Sequence, residues 1–244
     1  MHGTYNLNGI ILSRSALKER DSKIVFYSFE GGKINLVVRG TSSLKSKLSG
    51  HIEPISFCNV MAVEGKQFDY AGAVVCTNAY ANIKNDYSKT ILAGKVISFL
   101  IKEIKEEEED INIFNILKDF LDTLNNLEKS NLNFLSLGRF TLFYHFFIFK
   151  IMKELGFSPL LNCCVNNPMH KNNEIKYFDY KKGGVICAEC KKENHSFQVS
   201  KNAINLLNLV LKEDFGKLFK IDYQEDIARE VEKIISSFYR YQFD

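Results

Sequence analysis

The sequence predicts an α+β protein, with a small β-barrel at the N-terminus and helices after it. Three observations lead there. Apolar and polar residues alternate in five short runs up to about residue 77; from residue 78 the apolar residues recur at three- and four-residue spacing; and four of the six cysteines lie between residues 162 and 195. The 244 residues thus divide into a β part (1–77), a helical part (78–161 and 196–244) and a cysteine-rich insert (162–195).

The predicted strands cover residues 7–12, 23–29, 33–39, 55–64 and 67–76. In the third, alternation sends Ile34, Leu36 and Val38 to one face and Lys33, Asn35, Val37 and Arg39 to the other. Gly31-Gly32 and Glu64-Gly65-Lys66 supply the turn chemistry of hairpins. Five strands in so short a stretch suit a closed or nearly closed barrel, with an SH3-like barrel or a small open sheet as alternatives.

The first predicted helix carries Ile91, Ile97, Leu100, Ile101 and Ile104, and runs into the acidic stretch 106–110. That stretch reads as a solvated helix end, or as a segment that docks on a basic surface. Ile113, Ile116, Leu117, Phe120, Leu121 and Leu124 mark a second helix. A third, over 134–155, is apolar nearly all round and belongs at the centre of the helical part, with Gly156 as its C-cap and Pro159 beyond. Two more follow over 201–211 and 222–241.

Composition excludes more than it assigns. A formal charge of +3 decides nothing by itself. No apolar run reaches the roughly 18–20 residues of a membrane span, and no signal peptide is expected. The cysteines then belong to a reducing compartment, with Cys58 and Cys76 as small core residues. The glycines form neither a P-loop nor a dinucleotide fingerprint. His145 sits inside the apolar helix as a core histidine, and no nucleophile has a base beside it in sequence. A binding protein is expected, not an enzyme. A metal-dependent hydrolase would need an open metal position and a general base.

Two sets of residues carry the binding chemistry. Residues 1–50 hold eight basic side chains (Arg14, Lys18, Arg20, Lys23, Lys33, Arg39, Lys45, Lys47) against three acidic ones. Tyr27 and Phe29 lie among them on one strand face, and basic residues interleaved with aromatics suit single-stranded nucleic acid. The alternative is a protein-interaction scaffold whose barrel binds a protein and whose charge is incidental. The second set is Cys187-Ala188-Glu189-Cys190, whose spacing lets both thiolates reach one metal ion. Upstream stand Cys163 and Cys164; adjacent side chains diverge, so one of them is expected as ligand, with Cys164 preferred. The fourth position is open to Cys163, His170 or His195. Four protein ligands would make the ion, zinc, structural.

The chain resembles the RecO family of bacterial DNA repair and recombination mediators. The resemblance rests on the Gly-Gly-Lys turn, the strand ending at Arg39-Gly40, the Lys45-Ser46-Lys47 linker and the Glu53-Pro54-Ile55 entry to the next strand. It rests also on Leu155-Gly156-Phe157-Ser158-Pro159-Leu160-Leu161 leading into cysteines, then Phe178, Gly183-Gly184 and Cys187-x-x-Cys190. The resemblance implies an N-terminal OB-fold, a helical domain and a zinc-finger-like insert. It implies binding of single- and double-stranded DNA, annealing of complementary strands, contact with RecR and the single-stranded DNA-binding protein, and help in loading a recombinase. A cytoplasmic, nucleoid-associated location and no membrane partner go with that. Zinc-bearing members have a CxxC in the first half of the insert, where this chain places Asn166 or Asn167 at the second position.

Overall fold

The computed structural model describes residues 3–17, 20–41, 48–106, 108–128, 137–167, 169–170, 175–191 and 195–243. Lys18, Lys45 and Lys47 lie outside the described residues. The chain divides into two compact units, Met1–Asn126 and Leu127–Asp244. The first three helices therefore belong to the unit that holds the β part, whereas the sequence placed a boundary at residue 77.

In the first unit, β1 (Thr4–Ala16), β2 (Ser22–Ser28), β3 (Gly32–Val38), β4 (Ser56–Val63) and β5 (Asp69–Asn78) close into a barrel in the order β1-β2-β3-β5-β4. All pairs are antiparallel except β3–β5, and β1 pairing with β4 closes the ring. The alternation is the reason: Ile24, Phe26, Leu36, Val38, Cys58, Val60 and Ala62 all face one interior. Burying each large apolar side chain there contributes roughly 1.5–3 kcal/mol. Gly32 has φ +64, and a Cβ on it would stand 2.1 Å from the carbonyl oxygen of Glu108. Only glycine suits a left-handed turn with another backbone lying on it.

Three helices follow: α1 (Ala81–Lys84), α2 (Tyr87–Glu103) and α3 (Ile111–Asn126). Asp86 caps α2 by accepting from Lys89 N–H at 3.0 Å, and Asp110 accepts from Ile113 N–H at 3.0 Å at the start of α3. Phe114 of α3 packs on the outer face of the barrel, with its ring centroid 6.2 Å from Tyr27, 5.7 Å from Phe29 and 6.4 Å from Phe57.

The acidic stretch is not simply a solvated end. Glu106 bridges to Lys33 along β3, and its carboxylate accepts from Asn35 Nδ2 at 2.6 Å. Lys33 itself is 6 % exposed and donates from Nζ to the Ile101 carbonyl at 2.7 Å, in the last turn of α2. A cation there satisfies a terminal carbonyl and complements the helix dipole. Lys33→Ala is therefore expected to cost about 1–2 kcal/mol in denaturant unfolding and to leave nucleic-acid affinity unchanged.

In the second unit, α4 (Leu137–Glu154) buries Leu142, Phe143, Phe146, Phe147, Ile148, Phe149, Ile151 and Met152. It ends as expected: Gly156 has φ +87, Phe157 N–H reaches Met152 O at 2.8 Å and Gly156 N–H reaches Lys153 O at 3.0 Å. Those two bonds are a Schellman cap. His145 is satisfied within the helix, with Nδ1 2.8 Å from the Thr141 carbonyl. The insert is less irregular than its sequence suggests. Strands β6 (Ile175–Asp179), β7 (Gly184–Cys187) and β8 (Ser196–Gln198) form an antiparallel sheet in the order β7-β6-β8. Strands of three to five residues are too short for alternation to announce them. Helices α5 (Lys201–Val210), α6 (Phe215–Leu218) and α7 (Glu225–Phe243) complete the unit, with Ser200 capping α5 through Ala203 N–H at 3.1 Å. Among the described residues, no helix is long and apolar enough to cross a membrane.

Candidate nucleic-acid interface and metal centre

The barrel face built from β2 and β3 is divided in two. Towards the Gly31-Gly32 turn it is covered by α2, α3 and the acidic stretch. Here two sequence expectations need correction. Tyr27 points outward from the barrel but is fully buried beneath Phe114, so its ring has no face free for a base. Burial and the nearby Asp110 carboxylate raise its phenol well above the ordinary value. The Tyr27 hydroxyl has no hydrogen-bond partner among the described residues, so Tyr27→Phe is expected to leave stability unchanged or raise it by up to about 1 kcal/mol, read as a shift in urea midpoint. Lys33 is likewise committed to the helix, as described above. Phe29 remains 44 % exposed at the edge of this covered half.

The other half of the face is open only at its edge. Lys23, half-buried, opposes Val37 across the β2–β3 ladder; Val37 is itself buried, and Arg39, two residues on, is exposed. Val37 is in turn the register partner of Tyr70 on β5. Through that neighbour Arg39 places its guanidinium 4.2 Å from the Tyr70 ring centroid. Asp21 Oδ1 accepts from Gly40 N–H at 3.0 Å and Ser22 Oγ lies 2.7 Å from Thr41 Oγ1. These bonds hold the β1–β2 loop, with the exposed Arg20, beside the exit of β3. Arg14 is engaged: it donates to Ser49 O at 3.2 Å and pairs with Glu53 at 3.0 Å, tying the end of β1 to the turn Ser49–His51.

Residues 64–68, between β4 and β5, complete the open half. Arg39, Leu48, Glu64, Gly65, Lys66 and Tyr70 line a cleft of about 630 Å³, with Phe68 46 % exposed in the same loop. The sequence pattern marks 64–66 as a hairpin turn and 67–76 as a strand, and singles out none of Lys66, Phe68 and Tyr70 as a binding residue. In the sequence Lys66, Phe68 and Tyr70 stand two residues apart, with Gln67 and Asp69 between them. Arg39, Tyr70 and Lys66 together offer two cations and a ring face within one concave site, a combination suited to a phosphate and a base.

In the insert, residues 160–165 run beside β7. Leu160 N–H donates to Gly183 O at 2.9 Å, Val185 N–H to Leu160 O at 2.9 Å and Val165 N–H to Val185 O at 2.8 Å. A Cβ on Gly184 would stand 2.8 Å from the Leu160 carbonyl oxygen, so glycine permits this close passage. The pairing carries Cys164 to the end of β7, where Cys187 closes the strand and Cys190 closes the 3₁₀ turn Ala188–Cys190. There Cys164, His170, Cys187 and Cys190 bring one donor atom each within 4.8 Å of one another.

His170 Nδ1 lies 3.5 Å from Cys187 Sγ and 3.4 Å from Cys190 Sγ. Tetrahedral zinc with Zn–S near 2.3 Å and Zn–N near 2.0–2.1 Å spaces a nitrogen and a sulfur about 3.6 Å apart, so these donors fit such an ion. Asn167 Nδ2 holds the other ring nitrogen of His170 at 3.1 Å. Burial opposes the Cys164 thiolate, but N–H groups of Cys187, Asn167 and Asn166 donate to its sulfur and hold the thiol below its ordinary value. Hydrogen bonding to Cys187, together with burial and the neighbouring thiols, pushes the Cys190 thiol up to about 11. Three crowded thiols do not all ionise unless a cation offsets their repulsion.

The structure thus brings together Cys164, Cys187 and Cys190 and adds His170 from the open candidates. Cys163, in the bend just before Cys164, is not among the clustered donors. His195 is elsewhere, with Nε2 2.9 Å from Lys181 Nζ. The missing CxxC is accounted for: Asn167 occupies the position of its second cysteine and steadies the histidine that supplies the fourth donor.

Comparison with known proteins agrees with this architecture. The family profile described as "Recombination protein O N terminal" matches residues 1–80, and "Recombination protein O C terminal" matches residues 84–244. A protein from Thermoanaerobacter sp. named "DNA repair protein RecO" is 26 % identical over 94 % of this chain and 88 % of its own length. Proteins of the same name from Caldanaerobacter subterraneus and Desulforamulus reducens are each 22 % identical, over 95 % and 98 % of this chain and 90 % of their own lengths. The chain belongs to the RecO family of DNA repair and recombination proteins.

Proposed function

We propose that this chain binds single- and double-stranded DNA, anneals complementary strands and, with RecR, helps load a recombinase onto single strands coated by the single-stranded DNA-binding protein. One observation carries the reading: a barrel of order β1-β2-β3-β5-β4 whose open face joins Arg39, stacked on Tyr70, to Lys66 in the β4–β5 loop. That order is the OB-fold's, and OB-folds take oligonucleotides on strands 2–3 and the loops between strands 1–2 and 4–5. Arg20, Lys23, Lys66 and Phe68 occupy those places, with Arg39 just past β3 and Tyr70 at the start of β5 beside them; Lys18, Lys45 and Lys47 add charge to the adjoining segments of sequence. Arg14 belongs to the support of this face and not to its contact surface.

Annealing needs no bond to be broken. Basic side chains lower the repulsion between two polyanions until base pairing takes over, and counterion release makes the binding salt-dependent. The cluster in the insert supports a structural zinc held by Cys164, His170, Cys187 and Cys190, with no position left for a reacting water. The working place is the bacterial cytoplasm, on DNA. The test is annealing of two complementary oligonucleotides carrying a donor and an acceptor dye. The protein is expected to accelerate annealing with no nucleotide cofactor. Annealing at the spontaneous rate would overturn the proposal and favour a protein-binding barrel.

A further inference from the structure

Two of the six cysteines are outside the metal cluster's unit. Cys58 on β4 and Cys76 on β5 are register partners facing the barrel interior, Cys58 fully buried and Cys76 half-buried against the same core. The Cys76 N–H turns to His51 Nδ1 at 3.4 Å, so the two residues do not exchange a pair of ladder hydrogen bonds. Opposed residues of that kind have Cα atoms about 4.5 Å apart, inside the range of roughly 4.4–6.8 Å that a disulfide spans. Cys58 Sγ donates to the His51 carbonyl at 3.4 Å. Lys84, bonded through Nζ to Ser56 Oγ at 2.8 Å, is near enough to both thiols for its charge to act on them.

We infer that Cys58 and Cys76 form a thiol pair that hydrogen peroxide oxidises to a reversible cross-strand disulfide. Cys76 is the more exposed of the two, so it is the one that attacks a peroxide oxygen, reacting as the thiolate. The O–O bond breaks, a sulfenic acid forms and the other oxygen leaves as water after taking up a proton. Cys58 then attacks the Cys76 sulfur; the S–S bond forms, the S–O bond breaks and a second water departs. Two thiols lose two electrons, and one peroxide is reduced to two waters. Cys58 suits the second step better than the first, because burial and the neighbouring thiol push its own thiol up to about 12.

The consequence reaches the DNA-binding face proposed above. Oxidation consumes the Cys58 proton that bonds the His51 carbonyl. His51 ends the turn Ser49–His51, to which Arg14 is anchored and which the lysine-bearing residues 42–47 precede in the chain. The oxidised barrel is therefore stapled between β4 and β5 but has lost a tie on this turn.

The test treats metal-loaded full-length protein with a small excess of hydrogen peroxide, followed by N-ethylmaleimide and peptide mapping. Expected are loss of alkylation at both Cys58 and Cys76 and a crosslink between their peptides that dithiothreitol reverses. In Cys58→Ala protein, dimedone should trap a sulfenic acid at Cys76. Both thiols still alkylated at a dose that oxidises glutathione in the same tube would overturn the inference, as would a crosslink from Cys76 to a different cysteine. Mapping does not depend on DNA binding, so it decides the pair even where the DNA-binding reading fails. Fluorescence anisotropy with single-stranded DNA reads the consequence: a shift in affinity for oxidised wild type and none for Cys58→Ala/Cys76→Ala. An identical affinity before and after crosslinking overturns the link to the turn.

Discussion

Removing the zinc proposed at Cys164, His170, Cys187 and Cys190 is expected to melt the metal-side half of the β6–β8 sheet while the barrel stays folded. The core there is minimal: Cys164, Ile186 and Cys187 buried, with Val165, Tyr177 and Cys190 packed against them. So few apolar groups do not offset the entropy of ordering the surrounding loops. The far side of the sheet has other support, since the Phe178 ring lies 6.2 Å from Phe238 of α7. The loss is therefore expected to be several kcal/mol, less than the roughly 10–16 kcal/mol of an isolated zinc finger. Calorimetry with and without a chelator should show the second unit's transition move and the first unit's stay. Cys187→Ala, at a position 1 % exposed, should abolish binding, and Asn167→Ala should weaken it about 10–100-fold by freeing the histidine ring. Cys163→Ala should change neither. Atomic emission finding well under one equivalent of zinc in freshly purified protein would contradict the assignment.

The second large effect is expected at Tyr70 and Arg39. Tyr70→Ala removes the ring on which a base would stack, and stacking contributes about 1–3 kcal/mol per base, so affinity for single-stranded DNA should fall about 5- to 150-fold. Arg39→Ala should cost less, because Lys66 and Lys23 remain, but it should flatten the salt dependence by roughly 0.7 in log–log slope. Combining it with Lys45→Ala and Lys47→Ala should flatten the slope further with the fold intact. Lys33→Ala and Tyr27→Phe are the controls: both alter residues that the sequence pattern offered to DNA and that the helices cover.

Those two residues show where reading the sequence stops. Alternation along β2 and β3 assigns inside and outside of the barrel correctly, so Leu36 and Val38 are core and Lys33 and Tyr27 are not. Alternation carries no information about a helix laid over the outside from far along the chain, and Phe114 and Ile101 belong to such helices. Helix periodicity and the Gly156 cap were legible because they depend on neighbours three or four residues away. In the insert, CxxC spacing identified Cys187 and Cys190, and the divergence of adjacent side chains favoured Cys164. Choosing His170 over His195 required the path of residues 160–165 along β7, which no local pattern records. The same holds for Tyr70: its partner Arg39 directly follows β3, which pairs with β5 in parallel across a long connection.

The central claim is that the open half of the barrel face binds single-stranded DNA through charge and stacking. A titration of dye-labelled single-stranded oligonucleotide by fluorescence anisotropy, repeated from low to physiological salt, tests it most directly. Binding that weakens linearly in log–log form with salt, with a shallower slope for Arg39→Ala and lower affinity for Tyr70→Ala, is the predicted result. No salt-sensitive binding at micromolar protein, or a slope and affinity identical in both variants and wild type, would contradict it.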